Sequence, residues 1–342
     1  MIVSRLRRAV LAAALALPLA GAATAAPEAA NSVVPFSFAV VGDMPYNATQ
    51  VLQFDALIDD INADGSVRFV LHVGDLKGGS ERCDDTLIRE RLAQLDRVRR
   101  AVVYTPGDND WTDCHRTNNG AYNPVERLGF LRSVAYPKPG LTRGSQPMRV
   151  ESQNRDPAFA DFVENQLFVR GQVVFAAVHV VGSANNLAPW TGIDPTDSVT
   201  APRADRLADY TTRLAAAQAW IDRAFDEAAA RDAPGVVVFF QANPGIEAAQ
   251  GDARRAGFEE VLAKLKARSL AFGKPVLLVH GDFHELLFDQ PLVRDAEPAP
   301  KVPKFQRLQS IGAPRIHWVK VDVDPRESGL FVVKPQWVPG SP

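Results

Sequence analysis

The chain has 342 residues, 46% of them hydrophobic and 23% charged, which is enough apolar material for a sizeable buried core and too much for a disordered polypeptide. A formal charge of −2 gives no electrostatic basis for nucleic acid or an anionic membrane as the main partner. The length permits two domains, but no domain-sized repeat and no evident linker divides the chain, so a single domain over 33–338 is expected.

At the start, Arg5, Arg7 and Arg8 precede an apolar run from Ala9 to Ala20, and Ala23-Thr24-Ala25 follows. This is the pattern of an export signal, so residues 1–25 are read as a signal peptide cut after Ala25, and the protein as periplasmic or secreted. An uncleaved anchor is the alternative, although the run is shorter than the roughly 20 residues a membrane span needs. Arg7-Arg8 ahead of Ala9-Val10-Leu11 is similar to a twin-arginine signal, which leaves both export routes open. No later stretch is long and apolar enough to span a bilayer, so no membrane contact is expected after cleavage.

Beyond the signal, short runs rich in valine, phenylalanine and leucine alternate with longer helical patterns, as in strands joined through helices into a largely parallel sheet. Strands are expected at Phe36–Val41, Phe69–Val73, Ala101–Thr105, Val173–Val180, Val236–Phe240 and Val276–Val279. Helices are expected at Ala48–Asn62, Asp84–Arg99, Pro124–Ala135, Arg203–Ala230 and Gly257–Leu270. In the longest, Leu207, Tyr210, Leu214, Ala217, Ile221 and Phe225 recur at helical spacing and read as a core stripe. Tyr136–Asn165 and Gly182–Pro202 are rich in Pro, Gly and polar residues and read as long surface loops. Ile316–Val323 and Leu330–Gln336, separated by a turn at 324–329, read as an antiparallel hairpin completing a second sheet.

Four apolar strand candidates stop at Gly-Asp: Gly42-Asp43, Gly74-Asp75, Gly107-Asp108 and Gly281-Asp282. Each alone is explained as a turn. Together they place four carboxylates beyond the carboxyl ends of strands, where open α/β sheets bind ligands. Carboxylates gathered in one crevice repel one another unless positive charge sits among them, and one or two divalent cations supply it. Lys77 is the one Arg or Lys within two residues of these aspartates, and His284, two residues past Asp282, offers a nitrogen ligand. The two cysteines, Cys83 and Cys114, each follow a Gly-Asp strand end by a few residues. In an oxidising compartment a Cys83–Cys114 disulfide is expected, with two free thiols as the alternative.

In order and strand context these residues resemble the calcineurin-like metallophosphoesterases, whose motifs run Asp-x-His, Gly-Asp-x-x-Asp, Gly-Asn-His-Asp/Glu, a later His, and Gly-His-x-His. The match spreads over Phe36 to His284. Gly42-Asp43-Met44-Pro45-Tyr46, Gly107-Asp108-Asn109-Asp110-Trp111-Thr112-Asp113-Cys114 and Gly281-Asp282-Phe283-His284 look like a divergent bacterial exported branch. The resemblance implies a four-layer α/β/β/α sandwich of two mixed sheets and a hydrolase that cleaves phosphate esters with a metal-bound hydroxide. It implies Asp43 and His284 as ligands of the first metal, Asp75 as the bridge, and Asp108, Asp282 and Gln241 at further ligand positions. Three positions depart from the pattern. Pro45 and Gln241 stand where ligand histidines are expected, and Asn109 stands where the leaving-group histidine is.

Carboxylates in place of histidines favour Mg²⁺, Mn²⁺ or Ca²⁺ over Zn²⁺. Asp75, Asn109 and Asp110 are expected nearest the reaction. Asn109, Trp111, Asn185 and His115 are candidate contacts to a small phosphorylated substrate, with loop packing as the plainer role of Trp111 and a turn that of Asn185. His115 is a possible replacement acid or an ordinary surface-loop histidine. His72, His179, His280 and His317 read as structural, and no G-x-S-x-G elbow supports a serine hydrolase. The alternative to an enzyme is a non-catalytic protein that binds a metal or phosphate ligand on the same fold; a purely structural exported domain is a third reading.

Overall fold

The computed structural model describes residues 34–341, so the expected signal peptide lies outside the described residues. Two mixed β-sheets lie face to face with helices on both outer faces, giving the four-layer α/β/β/α architecture expected from the resemblance. No helix among the described residues is long and apolar enough to cross a membrane.

The first sheet has the order β12-β11-β1-β2-β3. Its parallel half is β1 (Phe36–Val41), β2 (Val67–His72) and β3 (Ala101–Tyr104). The terminal hairpin, β11 (Trp318–Val323) and β12 (Phe331–Gln336), pairs antiparallel onto β1, with Phe36 opposite Val323. The hairpin is thus present but extends the first sheet rather than completing the second. The free edge of β1 accepts it, and Phe38, Val40, Val319 and Val321 then face the same core.

The second sheet has the order β4-β5-β6-β7-β8-β10-β9. Its parallel centre is β6 (Val173–Ala177), β7 (Val236–Phe239), β8 (Val276–His280) and β10 (Phe305–Gln309). Antiparallel β4 (Glu151–Ser152) and β5 (Gln166–Arg170) finish one side, and β9 (Leu287–Asp289) finishes the other. The four short or polar members, β4, β5, β9 and β10, carry too little apolar periodicity to stand out in the sequence.

Alternation along the strands sends Phe38, Phe69, Phe168 and Phe175 into the space between the sheets, where the rings meet edge-on or stacked. Outside the first sheet lie α1 (Ala48–Ala63), α2 (Asp85–Leu95) and α3 (Pro124–Ala135). The Asn47 and Asn123 side chains cap α1 and α3 by accepting from first-turn amides. Outside the second sheet lie α4 (Ala204–Ala230) and α5 (Glu259–Phe272).

The predicted stripe on α4 holds only in its C-terminal half, where Ala217, Ile221 and Phe225 are buried. Leu207 is 43% exposed, and the N-terminal half instead turns Arg206 and Arg213 inward. The reason lies in the segment below. Residues 182–202, expected as a surface loop, bury Trp190 and Asp197, and Arg206 answers Asp197 through paired hydrogen bonds of 2.9 and 2.7 Å. Residues 136–165 likewise carry buried groups. Glu164 is fully enclosed, held by Arg132 and by His179 Nδ1 at 2.7 Å.

Cys83 and Cys114 form a disulfide with Cα atoms 5.7 Å apart, joining the loop after β2 to the loop after β3. The link closes a segment of 31 positions, and its loss in a Cys83→Ser/Cys114→Ser variant is expected to cost about 3 kcal/mol. Chemical denaturation of the two proteins checks the value, and intact-mass analysis with alkylation checks that no free thiol exists in the native protein.

Candidate functional site

The carboxyl ends of β1, β2, β3 and β8 meet along one seam between the two sheets, and the four Gly-Asp pairs stand there. Asp43, Asp75 and Asp282 adopt left-handed backbone angles with φ of 55°, 58° and 76°, and His284 does so at 63°. Such angles cost a non-glycine residue stability and persist where the surroundings enforce them, as at functional sites.

The glycines of two of the pairs, Gly107 and Gly281, do more than allow a turn. A Cβ on Gly107 would overlap Asp75 Oδ1, and one on Gly281 would overlap Asp43 Oδ2. Each glycine thus opens the space that a carboxylate from another strand end fills.

Asp43, Asp75, Asp108, Asp110 and Asp282 are all brought to this seam, and the first four are at most 7% exposed. Burial first, and then repulsion from Asp282, pushes the Asp43 carboxyl well up. Burial, then Asp108 and Asp43, does the same to Asp75. Burial, then Asp113, raises Asp108, and burial raises Asp110 and Asp282. Lys77 is buried close by, but its ammonium is spent on the carbonyls of Gly78 and Glu81.

Neutral donors surround several of the carboxylate oxygens. Asn109 donates from Nδ2 to Asp75 Oδ2 at 2.9 Å and from its backbone N to Asp75 Oδ1 at 3.1 Å. The Tyr46 hydroxyl donates to Asp75 Oδ2 at 3.0 Å and stands 3.4 Å from His284 Nε2. Gln241 was expected to offer a ligand oxygen. Its Oε1 instead accepts from the Gly182 amide at 2.6 Å, and its Nε2 donates to Asp108 Oδ1 at 3.1 Å. The physical reason is that adjacent carboxylates require a donor. Among the described residues, no three or more His, Cys, Asp or Glu side chains form a ready cage for an ion. The expected ligand shell of Asp43, Asp75, Asp108, Gln241, Asp282 and His284 is therefore gathered at one seam without being arranged as a cage.

Two features still fit a cation. Asp43 Oδ2 is buried with no hydrogen-bond partner. His284 Nδ1 lies 2.7 Å from the Ala313 carbonyl, which fixes a proton there and leaves the Nε2 lone pair facing the seam, 3.7 Å from Asp43 Oδ1.

Other expected site residues have different places. Asp110 accepts from the amides of Asp75, Leu76 and Gly107 and from Tyr104 Oη, all within 3.0 Å. With those four bonds its lone pairs are committed, so it organises the loops and is not free for chemistry. Trp111 is completely enclosed, edge-on to His179 and beneath Arg213, so it offers no face to a substrate. Its role is packing. Asn185 is 1% exposed and bound to Arg213 and to the Gly257 carbonyl, which removes it as a substrate contact. His115 is 7% exposed and accepts from the Gly192 amide, so it is not the open surface histidine of the sequence reading.

Sequence reasoning missed Tyr46, Ser183, Asp113 and Arg116. Ser183 Oγ donates to Asp108 Oδ2 at 3.0 Å and to Asp113 Oδ1 at 2.7 Å. It begins four successive left-handed residues, Ser183, Ala184, Asn185 and Asn186, with φ between 51° and 67°. Arg213 clamps this turn through the Asn185 carbonyl at 2.8 Å and through Asn185 Oδ1, and Asp209 fixes Arg213 and Asn186. The only advance signal was composition, since Gly182-Ser183-Ala184-Asn185-Asn186 contains residues that tolerate positive φ.

Two surface grooves, of about 680 and 770 Å³, border none of the aspartates of the seam. One runs beside Phe36, Asp322 and Phe331, and the other between α3 and α4.

In comparisons with known proteins, no family model matches the chain and no curated protein matches it. Among solved structures it is similar to a dimetal phosphatase from Danio rerio, with TM-score 0.53 and 11% identity over 88% of this chain and 96% of that one. A second is GAP50, the anchor in the inner membrane complex of Plasmodium, with TM-score 0.42 and 10% identity over 89% of each chain. The first likeness defines the class by architecture: the chain has the metallophosphoesterase fold.

Two outcomes follow from the supporting structure. Ala184→Gly removes a left-handed penalty of about 1–2 kcal/mol at the cost of a more flexible unfolded chain, so a net gain of about 0.5–1 kcal/mol is expected. Arg213→Ala strips the clamp and leaves the Asp209 carboxylate without its ion pair, held by the Asn186 amide alone, with an expected loss of about 3 kcal/mol. Urea denaturation compares both with the parent.

Behind the seam, burial alone would raise the Glu164 carboxyl, but Arg132 and then His179 outweigh it and hold it at about 2. A depressed carboxyl stabilises the fold above its ordinary range, and that contribution disappears as pH falls through the ordinary value toward 2. Glu164→Gln is therefore expected to show less loss of stability between pH 5 and pH 2 than the parent, read from denaturation midpoints.

Proposed function

We propose that the protein is a divalent-cation-dependent hydrolase of phosphate esters, acting on a small phosphorylated substrate after export to the periplasm or beyond. The observation that carries this reading is the buried group of aspartates at the seam, with one oxygen of Asp43 unpartnered and the Lys77 charge turned elsewhere. Buried ionised carboxylates are stable only when paired or bound to metal. Asp43, Asp75, Asp108, Asp282 and His284 would hold the cation. When bound, such a cation polarises phosphoryl oxygens and acidifies water. The oxygen-rich donors favour Mg²⁺, Mn²⁺ or Ca²⁺ over Zn²⁺.

Within this reading the chain's own residues have definite tasks. Asn109 orients Asp75 through two hydrogen bonds. Tyr46 places a hydroxyl proton between Asp75 and His284, while burial and then Asp75 keep its phenol protonated. Ser183 steadies Asp108. An asparagine at position 109 cannot protonate a leaving group, and general acid help is worth about 10²–10⁴-fold. Turnover is accordingly slow and favours esters with good leaving groups.

A second reading has its own support. Asn109 and Gln241 already satisfy oxygens of Asp75 and Asp108 with neutral hydrogen bonds, as a non-catalytic binding protein on this fold would. One experiment separates the two. The purified full chain is titrated with Mn²⁺ and Mg²⁺, then assayed with an aryl phosphate and an aryl phosphodiester. The hydrolase reading expects chelator-sensitive turnover that Asp75→Asn lowers about 10³-fold, the several kcal/mol a Lewis-acid site contributes. Cation binding without turnover on either ester supports the binding protein, and turnover indifferent to chelator and to Asp75→Asn refutes the metal mechanism.

A further inference from the structure

The two ends of the seam differ in what surrounds their carboxylates. Between Asp75 and Asp108 stand nitrogen donors. Gln241 Nε2 lies 3.3 Å from Asp75 Oδ2 and 3.1 Å from Asp108 Oδ1. The Asn109 backbone amide spans the same pair, 3.1 Å from Asp75 Oδ1 and 3.0 Å from Asp108 Oδ1. Asp75 Oδ2 also accepts from Asn109 Nδ2 and Tyr46 Oη, and Asp108 Oδ2 accepts from Ser183 Oγ. Every oxygen of these two carboxylates thus receives at least one N–H or O–H. Neither spanning donor is free to turn away. The Asn109 amide belongs to the backbone. Gln241 Oε1 accepts from the Gly182 amide at 2.6 Å, so reversing the carboxamide to offer that oxygen to an ion would set its NH₂ against the Gly182 N–H. This end is also enclosed, with Asp108 7%, Asn109 9% and Gln241 0% exposed.

The other end is arranged in the opposite sense. Asp43 Oδ1 accepts from the Asp282 amide at 2.9 Å, while Oδ2 is buried with no hydrogen-bond partner among the described residues. His284 keeps its proton on Nδ1, against the Ala313 carbonyl, and its Nε2 lone pair faces the seam. Tyr46 spends its hydroxyl proton on Asp75 and leaves that lone pair unfilled. Asp43 and His284 both pack against Gly312, where a Cβ would lie 2.7 Å from Asp43 Cβ and 2.9 Å from His284 Cγ. The His284 side chain is 29% exposed, so this end of the seam meets solvent. A buried carboxylate oxygen without a donor, beside a nitrogen lone pair, is an arrangement that a cation completes.

We infer that the seam takes one divalent cation, at the Asp43 and His284 end, and that the donors of Gln241 and Asn109 stand in for a second. This departs from the dimetal phosphatase whose fold the chain shares. Asp108 then contributes negative charge rather than a coordinating oxygen. A small set of protein donors suits an ion such as Mg²⁺, which keeps several of its waters and is bound through one or two carboxylates rather than in an all-protein cage. The clamp that paired ions place on attacking and leaving oxygens is missing, so an ester that departs readily suits the site. The inference rests on the cation reading and narrows it.

The test is Mn²⁺ binding to the full chain, by calorimetry and electron paramagnetic resonance, for the parent, Asp43→Asn, His284→Gln and Asp108→Asn. The parent is expected to take up one tightly bound ion per chain, with the resolved hyperfine pattern of an isolated centre. Asp43→Asn is expected to weaken binding more than about a hundredfold, beyond what a residue outside the coordination sphere costs, and Asp108→Asn only about tenfold. His284→Gln, at a partly exposed position, takes the place of Asp43→Asn if that variant does not fold. Two tightly bound ions per chain, or the broadened spectrum of a coupled pair, overturns the inference and leaves the cation reading standing. A single ion that Asp108→Asn weakens as much as Asp43→Asn or His284→Gln does the same. No uptake of Mn²⁺ by the parent removes the cation reading and the inference with it.

Discussion

The structure is organised around the enclosure of like charges. Asp43, Asp75, Asp108 and Asp282 come from different strands and different sheets, yet they share one seam. Nothing in folding rewards that arrangement by itself, because burial and mutual repulsion both oppose ionisation there. The surrounding protein supplies the compensation: amides and a hydroxyl aimed at individual oxygens, glycines that make room for them, and an aromatic core between the sheets stiff enough to hold the strand ends together.

Backbone strain is concentrated in the same place. The left-handed angles at Asp43, Asp75, Asp282 and His284 surround the seam, and the left-handed turn at 183–186 closes one side of it. The turn is possible because α4 gives up part of its apolar face to Arg213 and Arg206, which bond to the turn and to Asp197. A helix that departs from simple amphipathicity in one half is therefore the mark of a support built for the site.

The Cys83–Cys114 link, Asp110 and Asp113 serve the loops rather than the chemistry. Asp110 ties the ends of β2 and β3 to each other, the disulfide joins the segments that follow, and Asp113 connects Arg116 to Ser183. Acidic residues in one short stretch, Asp108-Asn109-Asp110-Trp111-Thr112-Asp113, thus divide into one that faces the seam and two that hold the surrounding frame.

By itself the sequence determined the parallel strands other than β10, the helices α1 to α5, the Gly-Asp strand ends and the cysteine pair, because hydrophobic period and turn chemistry are local properties. It did not determine that the terminal hairpin joins β1, that β4, β5, β9 and β10 fill out the second sheet, or that α4 turns arginines inward, since these follow from which edges and charges meet in space. Nor did it separate Asp108 from Asp110, bury Trp111 and Asn185, or turn the Gln241 amide to donate rather than accept. A side chain's role there depends on which neighbour claims its lone pairs and protons, and only the tertiary structure chooses that neighbour.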